Sequence, residues 1–120
     1  MRRFAVASLL VATSAFGAPP APGRYEATLC VTTAPAVVPS CGAARLELRA
    51  GGRAQIRVAD IVYRLRLRAT DLDVAATQGS MQIDEFSSPY DWRDGTLAFV
   101  DTDRGVRYEV RLGAKVRAPR

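Results

Sequence analysis

Side chains able to carry out chemistry are few in this sequence. Its 120 residues include no histidine, so neither a Ser-His-Asp triad nor an ordinary general base near neutral pH can be assembled. Four serines lie in neither a nucleophile-elbow nor a Ser-x-x-Lys context, namely Ser40, Ser80, Ser87 and Ser88. We therefore expect no catalytic residue and a protein that is not an enzyme.

Acidic side chains form three close pairs, which are Asp84 with Glu85, Asp91 with Asp94, and Asp101 with Asp103. A glycosidase uses two carboxylates across a cleft, so acid–base catalysis is the enzymatic alternative. Adjacent acids at strand ends are more typical of solvated turns. Residues 101–105 also begin like a calcium loop, but Arg104 interrupts the oxygen ligands. We predict turns here, with no metal and no cofactor.

The two cysteines, Cys30 and Cys41, are predicted to form a disulfide. Ten residues separate them, whereas a redox pair has two residues between its cysteines, and without histidine a metal site is incomplete. Closing so short a loop stabilises a fold by roughly 3 kcal/mol in the chain-entropy description. A structural disulfide also implies an oxidising compartment.

The first 17 residues have the three parts of a secretory signal peptide. Arg2 and Arg3 form a basic start, residues 4–12 are apolar, and residues 13–17 are mostly small. Cleavage is expected after Ala15 or Gly17. The apolar run is much shorter than the roughly 20 residues that span a bilayer. We expect a periplasmic or secreted protein with no transmembrane segment after cleavage.

Beyond the leader, apolar and polar residues alternate with the period of a half-buried strand. Leu46 and Leu48 alternate with arginine and glutamate, for example, and Tyr108 and Val110 do the same near the end. The pattern predicts an all-β fold, an antiparallel meander of eight or nine strands closed into a small barrel, with a β-sandwich as the alternative. The expected divisions are a signal peptide at 1–17, a proline-rich leader at 18–22, one β domain at 23–113 and a basic tail at 114–120.

Six predicted turns support one common inward face, because residues opposite each other in a hairpin point to the same side. The strongest are the loop 50–52, whose Gly52 suits a left-handed position, and the Asp94-Gly95 turn. The others are expected at 59–60, 68–71, 77–78 and 103–104. Together the six turns pair Leu46 with Ile56, Ile56 with Tyr63, Leu65 with Val74, Val74 with Met81, Trp92 with Leu97, and Phe99 with Tyr108. The turn at 68–71 also sets Arg66 opposite Asp73 on the outer face, and the alternation places Met81 and Ile83 on the inward face.

One outer face of this meander is rich in arginine. Seven arginines are expected to project from three neighbouring strands, namely Arg45, Arg49, Arg53, Arg57, Arg64, Arg66 and Arg68. Arg53, Arg57, Arg64 and Arg66 are our candidate contact residues. The face is either a solvated surface that maintains solubility or a site for an anionic partner, such as lipopolysaccharide phosphates, peptidoglycan carboxylates or an acidic protein. Nucleic acid is not expected, because the charge excess is modest and the chain is exported.

A second candidate contact surface lies in residues 83–92, where the alternation breaks. Phe86, Tyr90 and Trp92 are concentrated there beside three acids, Asp84, Glu85 and Asp91. Phe86, Tyr90 and Asp91 in a loop could bind another protein's cleft. In the other interpretation Tyr90 and Trp92 are core residues, and residues 86–89 pack one barrel end.

Short motifs across nearly the whole mature chain resemble a set of small exported β-proteins of Gram-negative bacteria, which implies no particular activity. They are Gly23-x-Tyr25, Leu29-Cys30-Val31, Ser40-Cys41-Gly42, and the stretches 60–65, 81–84 and 92–101. More loosely, the chain is similar to periplasmic barrels that inhibit lysozymes or proteases and to lipocalin-like binders. The second cysteine pair and reactive-loop signatures of those inhibitors are not evident, so no functional residue is transferred.

These observations favour a non-catalytic binding or inhibitor module in the periplasm. The first alternative is a structural, envelope-associated protein whose arginine-rich face binds anionic envelope components. An enzyme is the second alternative. A filled barrel interior would direct attention to surface contacts, whereas an apolar cavity would favour a small ligand.

Overall fold

The fold was determined as a computed structural model that describes residues 19–117. The predicted signal peptide at 1–17 lies outside the described residues, as do Ala18 and residues 118–120. Within residues 19–117 there is no helix long and apolar enough to cross a membrane.

Eight antiparallel strands form a closed barrel in which each strand pairs with its neighbours in sequence and β1 pairs with β8. The strands are β1 (Gly23–Thr33), β2 (Ser40–Arg49), β3 (Arg53–Val58), β4 (Ile61–Leu67), β5 (Asp71–Gln78), β6 (Met81–Arg93), β7 (Thr96–Asp101) and β8 (Val106–Val116). The small barrel predicted from the alternation is therefore confirmed, and the sandwich alternative is wrong. β8 continues to Val116, so three residues of the segment 114–120 lie in the strand.

Five of the six predicted turns produce the expected register. The pairs Leu46–Ile56, Ile56–Tyr63, Leu65–Val74, Trp92–Leu97 and Phe99–Tyr108 face each other. Gly52 has a φ of 79°, and the Cβ atom of any other residue at this position would overlap the carbonyl oxygen of Leu67. Glycine is required there because another residue would need both a strained backbone and that space.

The turn predicted at 77–78 is wrong, because the chain turns two residues later, at Gly79 and Ser80, where Gln78 pairs with Met81. Val74 lies opposite Phe86 instead of Met81, and the register shifts between Ala76 and Thr77. This shift is a bulge in β6, in which Ile83 is the extra residue. Beyond it, the alternation of inward and outward side chains is reversed. Met81 and Ile83, expected in the core, are 67% and 37% exposed.

The inward side chains fill the barrel. Its fully buried residues include Leu46, Ile56, Leu72, Leu97 and Val110. At the end that holds the turn 102–105, the rings of Phe86, Phe99 and Tyr108 stack with centroids 5.0–6.2 Å apart. Burial of these apolar surfaces is the main stabilising term for so small a domain. The filled interior directs the search for a site to the barrel's surface and its two ends.

The predicted disulfide is present and joins the first hairpin. Cys30 of β1 lies directly opposite Cys41 of β2, and their sulfurs are bonded. Between them runs the loop 34–39, whose Val37 and Val38 are 86% and 75% exposed. The bond thus ties the ends of an exposed loop to the rigid sheet.

Candidate functional site

The register of β2, β3 and β4 places arginines directly beside one another on the outer face. Arg49 lies opposite Arg53, and Arg53 in turn lies opposite Arg66. Side chains at such directly opposed positions have Cβ atoms about 4.5–5.5 Å apart, and like charges there repel. This row is therefore a concentrated positive charge that the sheet maintains at some cost in stability.

A depression of about 420 Å³ follows this row across the outer face of β2–β6. Its walls include Arg49, Arg53, Arg64 and Arg66, and we call it the arginine groove. Gln55 follows Arg53 on the outer face of β3 and lies opposite Arg64, where it provides a neutral donor and acceptor. The far side of the groove is formed by Asp73 and Glu85. The groove thus has a cationic side and an acidic side.

Asp73 forms its ion pair with Arg68 and not with the arginine opposite it, Arg66. The register places Arg66 across from Asp73, as the sequence predicted. The Asp73 carboxylate instead accepts hydrogen bonds of 2.7 and 2.8 Å from Nη1 and Nη2 of Arg68, and one of 2.7 Å from Ser87. These hydrogen bonds, first from Arg68 and then from Ser87, hold the pKa of Asp73 well below its usual range.

Arg68 also binds Asp71, with its Nε 3.1 Å from Oδ1 of that carboxylate. One guanidinium therefore occupies both acids that border the arginine face. Within residues 19–117, Arg53 and Arg64 take part in no ion pair, and Arg66 makes none with Asp73. Their guanidinium groups are available to a planar anion such as phosphate or carboxylate.

The four arginines singled out from the sequence do not all belong to one site. Arg53, Arg64 and Arg66 line the groove, whereas Arg57 lies further along β3 opposite Arg45. Arg49, which the sequence did not single out from the wider face, also lines the groove, although Glu47 holds its Nε at 3.3 Å. Arg57 therefore serves as a natural control for charge on the same face.

The second candidate surface is not a loop, because residues 81–93 are the continuous strand β6. Phe86 packs against Phe99 and Tyr108 inside one barrel end, so that part of the loop hypothesis is wrong. Tyr90 and Asp91 lie at the opposite end, half-buried. The Tyr90 hydroxyl donates to the carbonyl oxygen of Arg68 and fastens the loop 68–71.

The barrel end that carries Tyr90 has an open apolar pocket of about 640 Å³, which we call the mouth pocket. Apolar or aromatic walls come from Leu48, Leu67, Tyr90 and Trp92, and Pro19, Pro20 and Pro22 of the leader cover one side. A hydrogen bond from the Tyr25 hydroxyl to the carbonyl oxygen of Ala21 fixes that leader. No pattern in the sequence predicts this pocket, because its walls come from four separate stretches of chain.

An acidic pair at the other barrel end was also missed. The bulge in β6 turns Asp84 towards Asp101, which is 2% exposed and has one oxygen without a hydrogen-bond partner among the described residues. Burial, followed by the Asp84 carboxyl, raises the pKa of Asp101. The Nε of Arg104 lies 3.5 Å from Oδ1 of Asp84 and 3.9 Å from Oδ2 of Asp101. Neither acid lines the arginine groove or the mouth pocket.

Among residues 19–117, no group of three cysteine, aspartate or glutamate side chains is arranged to hold an ion. Asp84 and Asp101 form only a pair, and a cation, Arg104, already lies against them.

The fold and the groove together define a class: a small, closed antiparallel barrel with a disulfide, a filled interior and a cationic groove on its outer face. Comparison with protein-family models, curated proteins and solved structures found no match to this chain. The indications of its function are therefore its own fold and the side chains of its surface.

Proposed function

We propose that this chain is a non-catalytic binding protein, acting in the periplasm or after secretion, that holds an anionic partner in the arginine groove. The observation that carries the proposal is the row of directly opposed arginines, Arg49–Arg53–Arg66, with Arg64 beside it. An anion bound there would relieve their mutual repulsion and accept paired N–H bonds from more than one guanidinium.

This proposal is supported by the pairing of three acids near the groove, whereas Glu85 on its far side accepts a hydrogen bond from Gln82 and is in no ion pair among the described residues. Asp73 and Asp71 are both held by Arg68, and Glu47 is held by Arg49. Asp73 would neutralise Arg66 if the two formed an ion pair, but the Asp73 carboxylate is bound by Arg68 and Ser87 instead. A simple solubilising surface does not need adjacent unpaired cations, because like charges opposite each other lower stability.

The location forms part of the same proposal. Its support is the signal-peptide pattern of residues 1–17 and the disulfide between Cys30 and Cys41. In such a compartment the available anions include phosphorylated lipids and the carboxylates of the cell wall. The absence of histidine from the sequence favours binding over general acid–base catalysis.

The experiment is calorimetric titration of the purified protein with inorganic tripolyphosphate at low ionic strength. We expect binding that weakens as salt is added, because exposed charges are screened beyond about 10 Å at 0.1 M salt. Replacing Arg53, Arg64 and Arg66 together by serine should lower the affinity by about tenfold or more, since about 1.4 kcal/mol corresponds to a factor of ten.

The matched control is Arg57→Ser, which removes one charge from the same face outside the groove. Because the triple variant loses more charge, Arg53→Ser alone is compared with Arg57→Ser at equal net charge. The proposal predicts a clear loss for Arg53→Ser and little change for Arg57→Ser. Equal losses would mean diffuse attraction to a positive surface, and the proposal would then be wrong.

A further inference from the structure

The mouth pocket and the arginine groove meet. Arg49 and Arg53 line both of them, so the two cavities share a wall at the β2–β3 turn. On one side of these arginines lie the apolar walls formed by Leu48, Leu67 and Trp92, and on the other lie Arg64 and Arg66. An apolar cavity thus leads directly to a cluster of cations.

We infer that this protein binds an anionic single-chain amphiphile, with its hydrocarbon chain in the mouth pocket and its phosphate or carboxylate head at Arg49 and Arg53. The inference rests on the proposed function, since it assigns the groove's anion to the head of such a ligand. It adds the class of ligand and a second half of the site.

The size and the chemistry of the mouth pocket fit a chain. Small-molecule sites are about 300–1,000 Å³ and mainly apolar, with a few polar groups that fix orientation, and the mouth pocket has about 640 Å³. Its polar side chains are Arg49 and Arg53 on one side, and Thr70, Tyr90 and Asp91 elsewhere on its wall. The Asp91 carboxylate is paired with Arg93, whose Nε lies 3.6 Å from Asp91 Oδ2. A chain buried in the pocket would therefore emerge at the two guanidinium groups.

The walls of the pocket are already held in place without a ligand. Tyr90 fastens the loop 68–71 through the carbonyl oxygen of Arg68, and the backbone N–H of Leu67 donates to the carbonyl oxygen of Gly52 at 2.6 Å. Tyr25 fixes the leader through Ala21. Such preorganisation lowers the entropic cost of binding a flexible chain.

The test uses the fluorescence of Trp92, which lines the mouth pocket and is the single tryptophan of the chain. Octyl, decyl and dodecyl phosphate are titrated below their micelle-forming concentrations, with inorganic phosphate and decyl glucoside as headgroup-only and uncharged-chain probes. We expect a Trp92 response with the alkyl phosphates and an affinity that rises by up to about fourfold for each added methylene. Inorganic phosphate and decyl glucoside should bind much more weakly.

Variants separate the two halves of the site. Arg53→Ser should lower the affinity for every alkyl phosphate by a similar factor, whereas Arg57→Ser should leave these affinities nearly unchanged. Ala69→Phe, which places a ring in the pocket from its exposed loop, should reduce the dependence on chain length, while Ala43→Phe on the outer face of β2 should leave it intact. Circular dichroism and thermal melting establish that each variant is folded.

An affinity for alkyl phosphates that does not depend on chain length, or a Trp92 signal that does not change, would overturn the inference. So would equal binding of decyl glucoside, which would show that the head is irrelevant. If tripolyphosphate still binds and Arg53→Ser still weakens it, the proposed function stands while the amphiphile is rejected. Loss of both kinds of binding would reject both.

Discussion

The charge that matters most for the candidate site belongs to a side chain outside it. Arg68 binds Asp71 and Asp73 together, and its contacts leave Arg66 without the carboxylate that the register places opposite it. The groove carries an excess of positive charge because four arginines line it with two acids, and one of these acids, Asp73, is bound by Arg68. The sequence predicted the Arg66–Asp73 alignment correctly, but it could not show which of two nearby arginines takes the carboxylate, because that depends on side-chain direction and on the Ser87 hydroxyl.

Asp101 provides a test at the residue scale. Its pKa is raised by burial and by Asp84, so ionising it costs more in the folded than in the unfolded protein. This cost is absent below the unfolded pKa of about 3.9 and grows as the pH rises to the folded value. We expect Asp101→Asn to be more stable than the parent at neutral pH, with the difference vanishing in strong acid.

Thermal melting between acidic and neutral pH measures this difference. The asparagine keeps an oxygen that can accept the backbone N–H of Arg104, now 3.4 Å from Oδ1 of Asp101. Asp103→Asn, an exposed change in the same turn, is the control and should alter little. A stability loss at neutral pH would show that the ion pair with Arg104 outweighs desolvation.

At the scale of elements, the turn residues and the alternation of inward and outward side chains were enough to predict most of the strand pairing. Gly52 and the Asp94-Gly95 turn fixed two registers, and the arginine face followed from them. The bulge in β6 was missed, because the break in the alternation after Ile83 was interpreted as a loop and not as an extra residue within one strand. The bulge also brings Asp84 to Asp101, so the acidic pair was missed for the same reason.

Pro89 lies within β6, although proline cannot donate a hydrogen bond to a neighbouring strand. Here β6 stops pairing with β5 and begins to pair with β7. Ser88 closes the junction, because its buried hydroxyl accepts the N–H of Val100 at 2.9 Å and donates to the carbonyl oxygen of Pro89 at 2.6 Å.

We expect Ser88→Ala to lower the free energy of unfolding by about 1–3 kcal/mol, the usual cost of leaving a buried donor unpaired. Denaturant unfolding measures it. Ser87→Ala is the control, because Ser87 is exposed and Arg68 still holds Asp73 after its loss. Equal effects for the two serines would mean that the junction does not depend on the Ser88 hydroxyl.

At the scale of the whole molecule, closure of the barrel explains why the site is on the outside. Pairing of β1 with β8 completes the wall, and inward side chains such as Leu46, Phe99 and Val110 occupy the interior. Eight strands leave a core just wide enough for side chains. The mouth pocket draws on the leader, two turns and β6, so no local pattern could have predicted it, whereas the arginine face follows from alternation alone.

The central claim is that Arg53, Arg64 and Arg66 bind an anion as a group. The most direct measurement is an NMR titration with tripolyphosphate that follows the side-chain Nε–H signals of all arginines. The account predicts that the largest shifts occur at these three residues and at Arg49, with Arg57, Arg107 and Arg111 nearly unchanged. Shifts of similar size at every arginine, or no shifts at low ionic strength, would contradict it.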